Sequence, residues 1–383
     1  MKVIVAVDSF KGSLSSLEAG NAIKDGIKKA ISDAEVCVRP LADGGEGTVE
    51  ALTLGMGGKL EHVTVTGPLE KPVDCVFGII EESRTAIIEM SGAAGITLVA
   101  NEDRNPLNTT TYGVGQVIKD AIFKGCRHFV IGIGGSATND GGIGMLQALG
   151  YGMLDKNGKQ VPSGAKGLKG LEKITDENVL PKLKECTFRV ACDVNNVLCG
   201  KQGCSAVFGP QKGATPAMIL QMDKWLAHYA ELTAENYSHA DANQAGTGAA
   251  GGLGFAFLSY TNAVLESGIK IVLEETCLEE YIKSADIVVT GEGRLDGQTV
   301  FGKAPVGVAE IAKKHNKKVI AFSGCAADDA VICNEYGIDA FFPILQDIQT
   351  LQEAMDSKNA KKNIIAASEQ VFRLIKVFSD KET

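Results

Sequence analysis

The first 27 residues, MKVIVAVDSFKGSLSSLEAGNAIKDGI, decide the fold. Val3–Val7 is a short apolar run rich in β-branched residues, the pattern of a strand buried in a parallel sheet. A polar loop follows, Asp8-Ser-Phe-Lys-Gly-Ser-Leu-Ser-Ser, in which Ser15 or Ser16 is placed to cap a helix. Leu17, Ala22, Ile23 and Ile27 then recur at helical spacing. The order repeats at once: Glu35–Leu41 reads as a strand, Ala42-Asp-Gly-Gly-Glu-Gly-Thr as a loop, and a helical stretch comes next. Strand, loop and helix in alternation are the grammar of an α/β sheet.

Outward from this start the character changes near Glu61. His62–Thr66, Pro72–Ile80 and Ala86–Glu89 are short, turn-separated runs that suggest an antiparallel meander. A helical pattern over Gly113–Phe123 leads into a strand at His128–Ile133, the loop Gly134–Gly142 and a helix toward Leu149. Asp155–Lys173 reads as a surface excursion, Thr187–Val194 as a strand and Pro216–Ala234 as an amphipathic helix. Gly246–Gly254 is a Gly/Ala-rich loop before an apolar helix. Alternation returns with strands at Ile287–Thr290, Lys318–Phe322 and Ala340–Leu345 and a helix at Pro305–Lys314. The expectation is two α/β domains. Residues 1–62 and 285–383 build one parallel sheet from both chain ends, and residues 63–284 form an inserted mixed α/β domain. The strand at His128–Ile133 suits either sheet.

Length and composition set the outer limits. With 383 residues, 45% of them hydrophobic and 22% charged, the chain is an ordinary globular one. Its net charge of −9 gives no electrostatic reason to expect nucleic acid or an anionic membrane as partner. An anionic ligand must therefore be gathered by local basic groups and backbone N–H dipoles. The N-terminal apolar run is too short for a signal peptide, and no run approaches the roughly 18 apolar residues of a membrane helix. A cytoplasmic protein is expected. Ten cysteines are scattered from Cys37 to Cys333 without a CxxC pair, which favours reduced, mostly buried thiols. Cys199 and Cys204 have no histidine nearby to complete a zinc site.

Ligands of open α/β sheets bind beyond the carboxyl ends of strands, so the loops after each strand carry the question of function. After the first strand, Lys11 is suited to neutralise a carboxylate or phosphate, and Asp8 to meet a metal or a hydroxyl. The plain alternative is a helix cap beside a solvated lysine. After the second strand, Asp43 and Glu46 sit on a glycine-permissive turn that lets backbone approach a ligand. Asp43 suits a metal or a substrate hydroxyl, while Glu46 also suits the helix dipole. Gly134-Gly-Ser-Ala-Thr-Asn-Asp-Gly-Gly combines small side chains, free N–H groups and a following helix N-terminus into an anion cradle. It is neither a Walker loop nor GxGxxG.

Asp193 ends a mostly apolar strand, where a carboxylate is either paired in the core or facing a cleft. Gly291-Glu-Gly-Arg-Leu-Asp supplies Arg294 for a bidentate grip on a carboxylate or phosphate, unless it only pairs with Asp296. The five histidines form no acid–base constellation, and no Gly-x-Ser-x-Gly elbow accompanies them.

These loops, with Asp8-Ser-Phe-Lys-Gly, Phe208-Gly-Pro-Gln-Lys-Gly-Ala and Thr290-Gly-Glu-Gly-Arg-Leu-Asp in the same order along nearly the whole chain, resemble those of bacterial type I glycerate kinases. Two positions depart from that pattern: Val7 and Val197 stand where the family usually has proline. The resemblance implies a flavodoxin-like domain with an inserted α/β domain. It also implies phosphoryl transfer from ATP, with Mg²⁺, to D-glycerate, usually at the 2-hydroxyl.

On that footing Arg294 or Lys11 is expected to hold the substrate carboxylate, with Asp8 and Asp296 as further substrate contacts. Asp193 or Asp43 would orient and deprotonate the attacking hydroxyl. Gly134, Gly135, Ser136 and Thr138 would cradle nucleotide phosphate, with Mg²⁺ on Asp43 and Glu46. All of these are expected to meet in one pocket. Transfer to the 3-hydroxyl, a nucleotide-dependent hydroxy-acid oxidoreductase and a non-catalytic small-anion binder are the alternatives. The oligomeric state is left open.

Overall fold

The computed structural model describes residues 1–42 and 47–379. Asp43 and Glu46 therefore lie outside the described residues. In chain order the strands are β1 Lys2–Val5, β2 Glu35–Val38, β3 Lys59–Thr66, β4 Pro72–Ile80, β5 Thr85–Glu89, β6 His128–Gly132 and β7 Gly152–Leu154. They continue with β8 Lys173–Thr175, β9 Thr187–Ala191, β10 Ala263–Glu266, β11 Ile287–Leu295, β12 Lys318–Ala326 and β13 Ala340–Pro343. The chain forms two compact units. The first comprises Met1–Asp43, Leu54–Met56 and Ile269–Thr383, and the second Gly44–Thr53 and Gly57–Gly268.

The first unit is built on a five-stranded sheet in the order β13-β12-β11-β1-β2, every neighbouring pair parallel. Counted within the unit this is 2-1-3-4-5, the flavodoxin-like order, and its switch point falls between β1 and β11. Helix Ser16–Ala30 begins at Ser15, whose side chain accepts from the Glu18 N–H while Glu18 accepts from the Ser15 N–H. Its Ala19, Ala22, Ile23 and Ile27 are buried with Val3, Val5, Phe322, Ile364 and Phe372. Gly26 lies inside this helix for a packing reason. A Cβ there would meet Ser368 Oγ and the Ile365 carbonyl of helix Ser357–Ser379, so only glycine allows the two helices to approach this closely.

Two strands run further than their apolar patterns suggest. β11 continues to Leu295 because Glu292 pairs with Ser323 and Arg294 with Cys325 of β12. The segment Gly291–Leu295, read from sequence as a loop, is ladder. A neighbouring strand supplies those bonds, and no local pattern announces it.

The second unit carries a mixed six-stranded sheet, β10-β9-β6-β5-β4-β3. β3, β4 and β5 form the expected antiparallel meander, whereas β5, β6, β9 and β10 are parallel neighbours. β6 belongs to this sheet. The surface excursion is the connection between the short antiparallel strands β7 and β8, and β10 is a further strand that the sequence reading passed over. β9 ends at Ala191, three residues earlier than expected, so Asp193 lies beyond the strand. Helix Pro216–Asn236 is capped by Thr215, and the core gathers Phe77, Phe129, Phe188, Tyr229, Phe255 and Phe257. No described helix is long and apolar enough to cross a membrane.

Candidate active site

A cavity of about 450 Å³ opens at the carboxyl edge of the first unit's sheet, lined by the segment after β1, the ends of β11 and β12 and the residues after β13. This is where a doubly wound sheet places its ligands. Lys11, Arg294 and Lys303 contribute positive charge, and Asp8, Glu292 and Asp296 negative charge. Phe10, Ile344, Leu345, Leu351 and Met355 supply an apolar wall. Asp8 is buried, and its Oδ1 accepts from the Ser9 N–H at 2.6 Å.

Arg294, Lys303, Asp296 and Glu292 are loosely coupled. Arg294 Nε stands 3.5 Å from Asp296 Oδ2, and Lys303 Nζ stands 3.5 Å from Asp296 Oδ1 and 3.6 Å from Glu292 Oε2. The Arg294 side chain is 66% exposed. The plain ion pair with Asp296 is thus present, but it is long and solvated. Such a pair is worth at most about 1 kcal/mol and is readily exchanged for a ligand.

Glu292 is the most constrained carboxylate here, and the sequence reading gave it no role. It is 9% exposed and accepts from Thr299 Oγ1 at 2.8 Å. Burial pushes its pKa above the ordinary glutamate range, with Asp296 adding to the rise and Thr299, Lys303 and Lys11 opposing it. The raised value has a defined consequence for stability. A carboxyl with a raised folded-state pKa contributes stability that is complete below its unfolded value, about 4.3, and is lost as pH rises through the folded value. Replacing Glu292 by Gln removes that loss. The difference in Tm between Glu292→Gln and the parent should therefore grow in the variant's favour from pH 4 to pH 7. A difference independent of pH would mean that Glu292 titrates normally.

The second unit holds the glycine loop after β6. Gly134 and Gly135 are exposed, Gly135 adopts φ +72°, and the N–H groups of Gly134, Gly135 and Ser136 donate to no backbone carbonyl among the described residues. On either side the loop is fastened. Ile96 N–H donates to the Gly135 carbonyl, Ala137 N–H to the Ala94 carbonyl, and Gly141 N–H to the Gly251 carbonyl. Gly251 has φ +68°, and a Cβ on it would strike the Thr138 carbonyl, which is why a Gly/Ala-rich segment packs here.

One expectation about this loop is overturned. The helix that follows, Ile143–Ala148, has only six residues, and its N-terminal donors are already taken. Asp140 is fully buried and accepts from Thr111 N–H, Thr111 Oγ1 and Gly142 N–H at 2.8, 2.9 and 3.1 Å. Met145 N–H donates to Thr111 Oγ1. The helix dipole is thus neutralised from within and has little left for a ligand.

Positive charge comes instead from Lys212. Its Nζ donates to Ser136 Oγ at 2.7 Å and to the Thr138 carbonyl at 2.6 Å. Sequence reasoning quoted its motif, Phe208–Ala214, but assigned Lys212 no role, because nothing local shows that this lysine points inward.

Asp193 also belongs to the second unit. It is exposed, and its Oδ1 accepts from the Gly268 N–H at 3.1 Å. The core-pairing alternative is excluded by that exposure. Asp8, Lys11, Arg294 and Asp296 share the first unit's cavity; Gly134, Gly135, Ser136, Thr138 and Asp193 are not among its lining residues.

A parallel sheet in flavodoxin-like order with a mixed inserted sheet, a charged cavity at the switch point and a lysine-backed glycine loop define an α/β protein suited to small anions. The model of the glycerate kinase family matches residues 3–376, and the chain belongs to that family. It is 47% identical over 375 residues to a glycerate kinase of Haemophilus influenzae, covering 98% of this chain and 99% of that one. It is 46% identical over 372 residues to the glycerate 2-kinase of Escherichia coli, covering 97% of each. A crystal structure of a Salmonella typhimurium LT2 protein assigned as glycerate kinase 2 superposes with a TM-score of 0.92 at 45% identity, covering 99% of both chains.

Proposed function

We propose that this enzyme transfers the γ-phosphoryl group of ATP to the 2-hydroxyl of D-glycerate, giving 2-phosphoglycerate in the cytoplasm. The observation that carries the reading is the first unit's cavity, where Lys11, Arg294 and Lys303 stand among Asp8, Glu292 and Asp296 at the sheet's carboxyl edge. Glycerate has one carboxylate and two hydroxyls, and it requires that mixture of a cation and hydrogen-bond acceptors. The name of the Escherichia coli relative, glycerate 2-kinase, supports the choice of hydroxyl.

Phosphoryl transfer asks a protein for positioning and charge neutralisation more than for covalent chemistry. Arg294 or Lys11 binds the substrate carboxylate, while Asp8 and Asp296 accept from its hydroxyls. Asp193 or Asp43 orients the attacking hydroxyl and takes its proton. Gly134, Gly135, Ser136 and Thr138 hold nucleotide phosphate through N–H and hydroxyl groups. The apolar wall of Phe10, Leu351 and Met355 keeps bulk water from the acceptor.

For Mg²⁺, no group of three His, Cys, Asp or Glu side chains among the described residues is arranged to hold a metal. A phosphate-bound Mg²⁺ asks for only one or two protein carboxylates, and Asp8, Glu292 and Asp296 have that chemistry, as do Asp43 and Glu46. When bound, the ion supplies neutralisation of phosphate charge.

Phosphorus NMR of the product formed from ATP and D-glycerate tests the reading. A phosphomonoester split by a single methine proton is expected. Splitting by a methylene pair would move the transfer to the 3-hydroxyl, and release of inorganic phosphate alone would overturn the assignment.

A further inference from the structure

Lys212 takes part in none of the steps above, yet it occupies an unusual place. It is 2% exposed, at the end of the turn Pro210–Lys212, directly against the glycine loop after β6. Two of its three protons go to Ser136 Oγ and the Thr138 carbonyl. Neither partner is an anion. Among the described residues, the titratable groups around it are Asp140 from the loop itself and the Cys204 thiol from helix Cys204–Phe208. Asp140 spends its oxygens on Thr111 and Gly142, and burial pushes the Cys204 thiol up to about 11, leaving it neutral at physiological pH.

A buried ammonium without a carboxylate partner is costly and is kept only where something offsets it. An anion held on the other side of the loop would supply that offset. Because Ser136 Oγ accepts from Lys212, the serine's own proton is left to donate elsewhere. Thr138 Oγ1 is fully buried and has no hydrogen-bond partner among the described residues, so a second hydroxyl in the same loop is unspent. With the helix dipole neutralised by Asp140 and Thr111, Lys212 is the positive charge that the described residues lodge against this loop.

We infer that Lys212 is the positioning residue of an anion site formed by Gly134–Thr138, supplying the counter-charge for the terminal phosphates of a nucleoside triphosphate and fixing the direction of Ser136. The inference rests on the reading of this loop as the phosphate cradle. Lys212 acts through Ser136, the loop backbone and its field; it is not in the line of transfer.

Burial pushes the Lys212 pKa down to about 8, with Cys204 and Asp140 acting against the shift. In the full-length enzyme, ATP affinity should therefore weaken about tenfold per pH unit above that value, while the KM for glycerate stays flat over the same range. Lys212→Met should raise the Kd for ATP at least about tenfold, abolish this pH dependence and leave the KM for glycerate within twofold. Its Tm should stay level or rise, because an unpaired buried charge is replaced by an apolar side chain of similar length.

A fall in Tm with unchanged ATP affinity in the folded protein would make Lys212 a structural residue only. A flat pH profile of ATP affinity in the parent would overturn the inference even if the variant did not fold. Ser136→Ala separates the two levels of argument. If it weakens ATP binding and Lys212→Met does not, the inference fails and the cradle stands. If neither changes ATP binding, the cradle reading itself is wrong.

Discussion

Asp193→Asn is expected to lower kcat by at least about a hundredfold while the protein remains folded, the usual size of a lost general base. The substitution is chosen to change one thing. Asp193 Oδ1 accepts from the Gly268 N–H, and the amide oxygen of Asn can keep that bond. The residue is exposed and lies beyond the end of β9, so no core contact is disturbed. What disappears is the charge and the ability to take a proton. Surface changes of this kind usually shift stability by no more than about 0.5 kcal/mol. Turnover, glycerate KM and a thermal melt on the same preparation form the measurement. Near-normal kcat would remove Asp193 from the mechanism and pass the role to Asp43 or to the buried Glu292.

Arg294→Ala is expected to raise the KM for glycerate by about 10- to 150-fold, corresponding to the roughly 1.5–3 kcal/mol of a charge-assisted hydrogen-bond pair. The KM for ATP and the melting temperature should barely move. The guanidinium is mostly in solvent, and its contact with Asp296 is 3.5 Å long, so the fold loses little with it. Arg294→Lys should restore only part of the affinity, since an ammonium cannot reproduce a planar two-point grip. A rise in the KM for ATP with that for glycerate unchanged would exchange the ligands between the two sites.

Much of the fold was legible because its signals are local. The runs at Val3–Val5 and Val36–Val38, the capping serine before helix Ser16–Ala30 and the meander β3–β5 are each written in a few adjacent residues. Illegible parts depend on neighbours. Gly291–Leu295 looks like a turn and is a strand, because β12 lies alongside to complete its ladder. The loop Gly134–Gly142 was read as backed by a helix dipole, but Asp140 and Thr111 consume those N–H groups from positions 29 residues apart.

Candidate site residues divide in the same way. Asp8, Lys11, Arg294 and Asp296 could be nominated from their positions after apolar runs, and they do share one cavity. Lys212 and Glu292 could not. Their importance lies in burial, which a lysine between Gln211 and Gly213, or a glutamate between two glycines, does not reveal.

The amino-acid order by itself determined the α/β alternation and the set of loops able to meet an anion, since apolar periodicity and turn chemistry act within a few residues. Tertiary structure alone decided which of those loops share a cavity, where a carboxylate is desolvated and which lysine is sealed beneath a glycine turn. Electrostatic free energy depends on distance and on exclusion of water, and both are set by segments far apart in the chain.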